Sequence, residues 1–262
     1  ILRTADAAGI DAVIITNPCT FHVKTANYFI EKNISCLIEK PLSNTLNNAK
    51  ELLTNDCVIQ VGYLLRYSEL YNIMKNYNKY INKILSVKIN VGQYLPSWRN
   101  INYKKSVSSS KKLGGGVLLE LSHDINYILG IINFNKYKIK SILGKLSNLD
   151  LDVEDTAFIL IDVNNILISI NIDMIDKHTN RSCKLIGDNN SLNFDFIENK
   201  VMLLNENENK VIYENNKDEN LLLTQFKDFI DKVSNKDYSN KTVENAILTN
   251  KIIDQIKSNA TS

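Results

Sequence analysis

Asp11-Ala12-Val13-Ile14-Ile15-Thr16-Asn17-Pro18 is a short apolar run stopped by a turn. Unbroken apolarity over so few residues is the pattern of a parallel strand buried on both faces. The Asn-Pro pair ends it. A helical pattern follows from about Thr20 to Lys32. A second apolar run, Ile34-Ser35-Cys36-Leu37-Ile38-Glu39, is ended by Lys40-Pro41. Ser43 and Thr45 are candidate N-caps for a helix from about Leu46 to Leu53. Val58-Ile59-Gln60-Val61, closed by Gly62, is a third strand, and a helix from about Ser68 to Tyr77 comes next. Strand and helix alternating at this spacing make half of a doubly wound α/β sheet.

From about Lys83 the pattern changes. Lys83 to Val91 is strand-like, Tyr94 to Ser110 is a long polar loop, and Gly114-Gly115-Gly116 opens a helix expected to run to about Ile132. Strands then dominate. Ile166, Ile168, Ile170 and Ile172 alternate with mostly polar residues, the period of a strand with one buried face. Thr156 to Val163 is apolar on both faces, which places it centrally or beneath another layer. Short runs near Lys184, Leu192, Val201 and Val211 continue an antiparallel sheet, and helical periodicity returns at Leu221–Val233 and Val243–Ile256. The fold class is therefore α/β: an incomplete Rossmann-type parallel sheet, then an α+β domain with a large, mostly antiparallel, open-faced sheet.

The 262 residues suffice for one large or two ordinary domains. Lys and Arg number 31 against 29 Asp and Glu, with both signs interspersed, so no basic stripe points to nucleic acid. The longest apolar runs fall short of the ~18 residues of a membrane span, and no signal peptide is visible. Cys19, Cys36, Cys57 and Cys183 lack paired metal spacing. Cys36 and Cys57 read as buried thiols, which suits a reducing cytoplasm.

In open α/β sheets ligands bind beyond the carboxyl ends of the strands. Three such ends carry polar residues here: Thr16-Asn17-Pro18, Glu39-Lys40-Pro41 and Gly62-Tyr63. Lys40, directly after a buried strand, fits either a partly desolvated acid or base or a solvated lysine beside a turn proline. Glu120 and His123 are three apart, so on one helix they share a face. They fit either a proton relay or a merely hydrogen-bonded helix. The glycines before them let a ligand or a strand approach closely. His22 reads as fixing the loop after Pro18, and His178 as a loop residue between strands. Trp98 and Arg99 fit a sugar-stacking and anion-binding pair, or a loop anchored by its aromatic ring.

Taken together, Ile14-Ile15-Thr16-Asn17-Pro18 with His22, Glu39-Lys40-Pro41, Gly62-Tyr63 with Arg66-Tyr67, Gly114-Gly115-Gly116 leading to His123, and Val153-Glu154-Asp155-Thr156-Ala157 resemble the glucose–fructose oxidoreductase/inositol dehydrogenase/MocA (Gfo/Idh/MocA) family. The Glu-Lys-Pro element is the specific part, and the resemblance covers essentially the whole chain. It implies an enzyme that moves a hydride between NAD or NADP and a sugar, nucleotide-sugar or cyclitol. The stretch from Tyr94 to Trp98 resembles members linked to cell-surface sugar synthesis. By the resemblance Lys40, His123 and Glu120 are catalytic. Thr16, Asn17, Pro18, His22, Glu39, Lys40 and Pro41 border the cofactor. Arg66, Trp98, Arg99, Tyr103 and Asp124 bind the substrate. No metal, nucleic acid or membrane is implied.

The resemblance divides the chain into residues 1–82, the C-terminal part of a nucleotide-binding Rossmann domain, and 83–262, a substrate-binding domain. The open sheet of the second part implies a homo-oligomer, a dimer or tetramer. Two positions depart from the family: Leu119 and Asn126 stand where many members carry Asp. Ile1 to Gly9 looks like the end of a later helix, so about 60 residues, two β-α units of about 30 each, are expected to be missing. Among them would be the glycine turn that holds the cofactor pyrophosphate. A non-catalytic ligand-binding or regulatory descendant, and a lytic or hydrolytic reaction through transient oxidation, are the alternatives.

Overall fold

The computed structural model describes residues 9–46, 49–53, 56–215 and 219–261. The helix end expected before Gly9 lies outside them. The first three strands are β1 (Ala12–Ile15), β2 (Ser35–Glu39) and β3 (Ile59–Gly62), paired in that order and all parallel. Helix α1 (His22–Ile30) connects β1 to β2. It buries Val23, Ala26, Phe29 and Ile30 against Ile15, Cys36 and Ile38, as the apolar spacing requires. Between β2 and β3 the expected helix is instead a 3₁₀ stretch, Ala49–Leu53, among the described residues. The Ser43 hydroxyl accepts from the Thr45 N–H at 3.2 Å, a local turn in place of a helix cap.

Helix α2 (Glu69–Lys75) is capped by the Ser68 hydroxyl. Strand β4 (Ile84–Gly92) then enters a nine-stranded sheet. The loop after it is a series of 3₁₀ turns between Leu95 and Leu113. The helix expected from Gly116 to Ile132 is two short pieces, α3 (Val117–Glu120) and α4 (His123–Ile128). Leu121, with ψ of 24°, leaves helical geometry and stops the hydrogen-bond ladder between them.

The rest of the sheet is β5 (Tyr137–Gly144), β6 (Thr156–Val163), β7 (Ile166–Asp173), β8 (Asn180–Gly187), β9 (Ser191–Asp195), β10 (Lys200–Leu204), β11 (Asn209–Glu214) and β12 (Ala260–Thr261). Its order is β11-β10-β9-β8-β4-β7-β6-β5-β12. Only β4 with β7 and β5 with β12 pair in parallel. One face buries Ile159, Ile161, Ile168, Ile170, Ile172, Val87 and Ile89. The other is open. Strand β6 lies inside the sheet, as its sequence suggests, yet Phe158 and Leu160 on its second face are about half exposed, at 51% and 48%.

Helices α5 (Leu221–Asn235) and α6 (Lys241–Ser258) return the chain to the first sheet. Phe229 of α5 packs on Leu37 and Val58. Helix α6 spans both cores: Val243 and Ala246 join the parallel sheet, while Ile252, Ile253 and Ile256 join the large one. All four cysteines are buried and free.

Candidate active site

The turns after β1 and β2 are locked together by His22. Its Nδ1 lies 2.9 Å from the Pro41 carbonyl and its Nε2 2.6 Å from the Asn17 carbonyl. Burial holds the imidazole below its ordinary pKa of 6.5 against these two carbonyl contacts. The Asn17 amide donates to the Thr25 hydroxyl at 2.9 Å, which sets the turn on α1. The Lys40–Pro41 peptide is cis. The Lys40 N–H bonds the Glu39 carboxylate, whose pKa burial raises.

The glycine run admits the chain itself. An added Cβ on Gly115 would stand 2.4 Å from the Val107 carbonyl oxygen, and one on Gly116 2.6 Å from Glu154. At Gly114 it would meet Cys19 of the first sheet's half at 2.3 Å. Gly114 and Gly116 also have φ of 85° and 104°, which favours glycine. This close packing sets α3 directly across from the end of β2.

There Lys40 meets Glu120. The Lys40 ammonium donates to the Glu120 backbone carbonyl at 2.6 Å, and the Glu120 carboxylate lies 3.8 Å from it. The break at Leu121 means that Glu120 and His123 do not share one helix face. They nevertheless line one cavity of about 440 Å³ together with Lys40. His123 stands edge-on to the Tyr63 ring, 5.6 Å between centroids, and its Nδ1 is buried without a partner. Burial, with Lys40 and Arg181 nearby, keeps this imidazole well below 6.5 and therefore neutral near pH 7.

Trp98 and Arg99 also line the cavity, as do Lys177 and Arg181. The last two were not singled out from the sequence. Their signal was a cation in the short turn between β7 and β8, Lys177, and a second just inside β8, Arg181. Three expected substrate residues lie elsewhere. Arg66 turns away, donating from Nε and Nη2 to Asn126, and lines a second cavity with Tyr67 and Tyr71. Tyr103 accepts from the Asp150 N–H at 3.2 Å and lines a small cleft beneath the loop. Asp124 is fully buried behind the cavity wall, 3.4 Å from Arg181 Nε. Thr16, Asn17, Pro18, His22, Glu39 and Pro41 lie at or just after the ends of β1 and β2 and do not line this cavity; of that expected set only Lys40 does.

Among the described residues no cluster of three His, Cys, Asp or Glu is placed to hold a metal. Among them, too, no helix is long and apolar enough to cross a membrane.

Residues 2–63 match the family model described as the oxidoreductase family with NAD-binding Rossmann fold, GFO_IDH_MocA. No curated protein sequence matches the chain. Among solved structures, a levoglucosan dehydrogenase in complex with NADH superposes with a TM-score of 0.83 at 17% identity, over 96% of this chain and 78% of that one. UDP-N-acetylglucosamine 3-dehydrogenase from Acidithiobacillus ferrooxidans gives 0.79 at 14% identity, over 95% and 78%. An inositol dehydrogenase homolog from Azotobacter vinelandii, complexed with NAD+, gives 0.79 at 16%, over 96% and 76%. By sequence, then, residues 2–63 resemble the Gfo/Idh/MocA oxidoreductase family, and the chain has the fold of the dehydrogenase structures on which it superposes.

Proposed function

We propose that the protein is a nicotinamide-dependent oxidoreductase, using NAD or NADP, that acts on a hydroxyl-bearing carbon of a sugar, nucleotide-sugar or cyclitol. The observation that carries this reading is the convergence on one cavity of Lys40, from the end of β2, with Glu120 and His123, from α3 and α4. Residues 1–82 form the cofactor half of this reading and residues 83–262 the substrate half, with α5 and α6 bracing the first. A role in cell-surface polysaccharide synthesis and a cytoplasmic location suit the buried free thiols and the resemblance, and both belong to the proposal.

The residues at the strand ends fit the nicotinamide end of such a cofactor. The turn at Thr16-Asn17-Pro18 is held rigid by His22 and Thr25. Beside it the Thr20 hydroxyl is buried with no partner, a donor left free for a ligand. A bound nicotinamide supplies the hydride acceptor or donor. In the oxidative direction, the Lys40 ammonium hydrogen-bonds the substrate hydroxyl oxygen and stabilises the charge that develops there. Neutral His123 accepts the hydroxyl proton on a ring nitrogen. In the reductive direction protonated His123 returns it. Glu120 serves as a positioning residue that aims the Lys40 side chain.

The open sheet face is proposed as the contact between copies in a dimer or tetramer. Phe158, Leu160, Leu167 and Ile142 are all about half exposed on that sheet.

Transfer of deuterium from a labelled reduced nicotinamide to a keto-sugar carbon tests the reaction. One deuterium per turnover in the hydroxyl product, read by mass spectrometry, is expected. Failure to label any product across keto-sugars, keto-cyclitols and nucleotide-linked keto-sugars overturns the reading.

A further inference from the structure

We infer that the cavity is built for an anionic sugar, one carrying a carboxylate or a phosphate, with Arg99 and Lys177 holding the anion and Lys40 and His123 the reacting end. This rests on the oxidoreductase reading for which end reacts. The anion end stands on the charge balance of the wall.

Four cations line the cavity, Lys40, Arg99, Lys177 and Arg181, against a single carboxylate, Glu120. Two of the four are matched inside the protein. Lys40 has Glu120, and Arg181 has the buried Asp124. Arg99 and Lys177 have no carboxylate within ion-pair distance among the described residues. The nearest acidic side chains in sequence are already engaged. Asp173 accepts the N–H groups of Ile175 and Asp176, and Asp176 accepts from the His178 N–H and the Asn180 amide. The Lys177 ammonium instead stands 6.0 Å from the Tyr94 ring centroid.

The matched cations and the unmatched ones occupy different depths. Lys40 is 17% exposed and Arg181 14%. Arg99 and Lys177 are exposed, at the rim. Trp98, a half-buried side chain whose Nε1 is buried without a partner, lines the same cavity. A guanidinium beside an ammonium is suited to a planar carboxylate or a phosphate. An indole in the same cavity wall is suited to a sugar ring. A cavity of about 440 Å³ is of the size small-molecule sites have. A neutral sugar would give neither rim cation a charge partner, whereas an anionic one would.

Trp98 is the only tryptophan of the chain. Its emission therefore reports occupancy of this cavity without cofactor or turnover. The intact protein is titrated with D-glucose, D-glucuronate and D-glucose 6-phosphate. At least one of the two anions is expected to half-saturate the change at a concentration about tenfold or more below that for D-glucose, the size of one charge-assisted hydrogen bond. Which anion does so separates a carboxylate from a phosphate. The advantage is expected to vanish in the double variant Arg99→Gln, Lys177→Gln, whose positions are exposed and whose circular dichroism should match the parent. D-Glucose binding as well as both anions, an anion preference that survives the double variant, or no emission change with either anion would each overturn the inference. Loss of all nicotinamide turnover with the anion preference intact overturns the oxidoreductase reading instead. Turnover of neutral sugars with no anion preference overturns only the inference.

Discussion

The ammonium of Lys40 hydrogen-bonds the backbone carbonyl of Glu120 at 2.6 Å across 80 positions of sequence, and the carboxylate of the same residue stands 3.8 Å away. One residue thus fixes the lysine twice, once through a main-chain atom that substitution leaves in place and once through a side chain that substitution removes. The two contacts can be separated. Lys40→Met removes the proposed contact to the reacting oxygen and is expected to lower kcat/KM by about 10²–10⁴. Glu120→Gln keeps the carbonyl contact and should cost much less. Its signature is a fall in kcat larger than any rise in KM, partly restored in Glu120→Asp, which keeps a carboxylate beside the ammonium. Steady-state kinetics on the three variants checks this. A Glu120→Gln variant with parental kcat, or an Asp variant no better than Gln, would remove Glu120 from its positioning role.

The approach of the loop to α3 has a similarly local test. Gly115 faces backbone, with the carbonyls of Val107 and Ser108 within 2.5 Å of an added Cβ. Backbone has no rotamer by which to withdraw. Gly115→Ala therefore forces the segment bearing Trp98 and Arg99 away from the segment bearing Glu120. A loss of about 1–3 kcal/mol of stability is expected, with a rise in KM larger than the fall in kcat. Urea unfolding and substrate titration measure the two effects. An alanine variant of parental stability and KM would show that the loop yields without consequence.

These particulars also mark how far the sequence carries. β2 and β3 were legible because both of their faces are buried, so apolarity alone declares them; β1 carries the same apolar run, yet it buries only Ile15 fully and leaves Ile14 52% exposed. Lys40 was legible as the residue leaving such a strand. The break at Leu121 was not, because Leu118, Leu119 and Leu121 are all buried core residues and suit one continuous helix as well as two short ones. The direction of Arg66 was hidden for a related reason. A residue after a strand end can turn to either side, and the choice was made by Asn126 and Tyr71, both distant or neutral in the local pattern. Arg181 was hidden because its buried partner, Asp124, is brought to it only by the packing of α4 on the large sheet.

Acid should weaken the fold through two histidines at once. Burial lowers both His22 and His123 from the ordinary 6.5, so each is neutral in the folded state where the unfolded chain would take a proton. The unfolded state binds more protons once the pH falls below 6.5. The stability held by the neutral rings is therefore fully present above 6.5 and is lost as pH falls below it toward the lower folded values. The urea midpoint is expected to drop between about pH 7.5 and pH 5.5, above the range in which ordinary carboxylates titrate. His22→Gln should flatten that drop, and it should also cost about 1–3 kcal/mol near neutrality by freeing the one carbonyl, of Asn17 or Pro41, that the neutral ring's single N–H bonds. A variant that retains the full slope would assign the acid sensitivity elsewhere.

The open sheet face gives the last prediction. Phe158 pairs across the sheet with Ile142 on one side and Asn171 on the other, and Leu160 with Lys140 and Ser169. The apolar side chains thus form a patch framed by polar ones, the composition of a surface that a second copy covers. Leu160 makes no contribution to the buried core, which lies on the opposite face with Ile159 and Ile161. Leu160→Lys therefore leaves folding intact while placing a charge at the centre of the proposed contact. Sedimentation equilibrium of the parent should give a dimer or tetramer, and the variant should shift toward monomer with an unchanged thermal transition at low protein concentration. A parent that sediments as a monomer at high concentration, or a variant that assembles as the parent does, would move the contact between copies off this face.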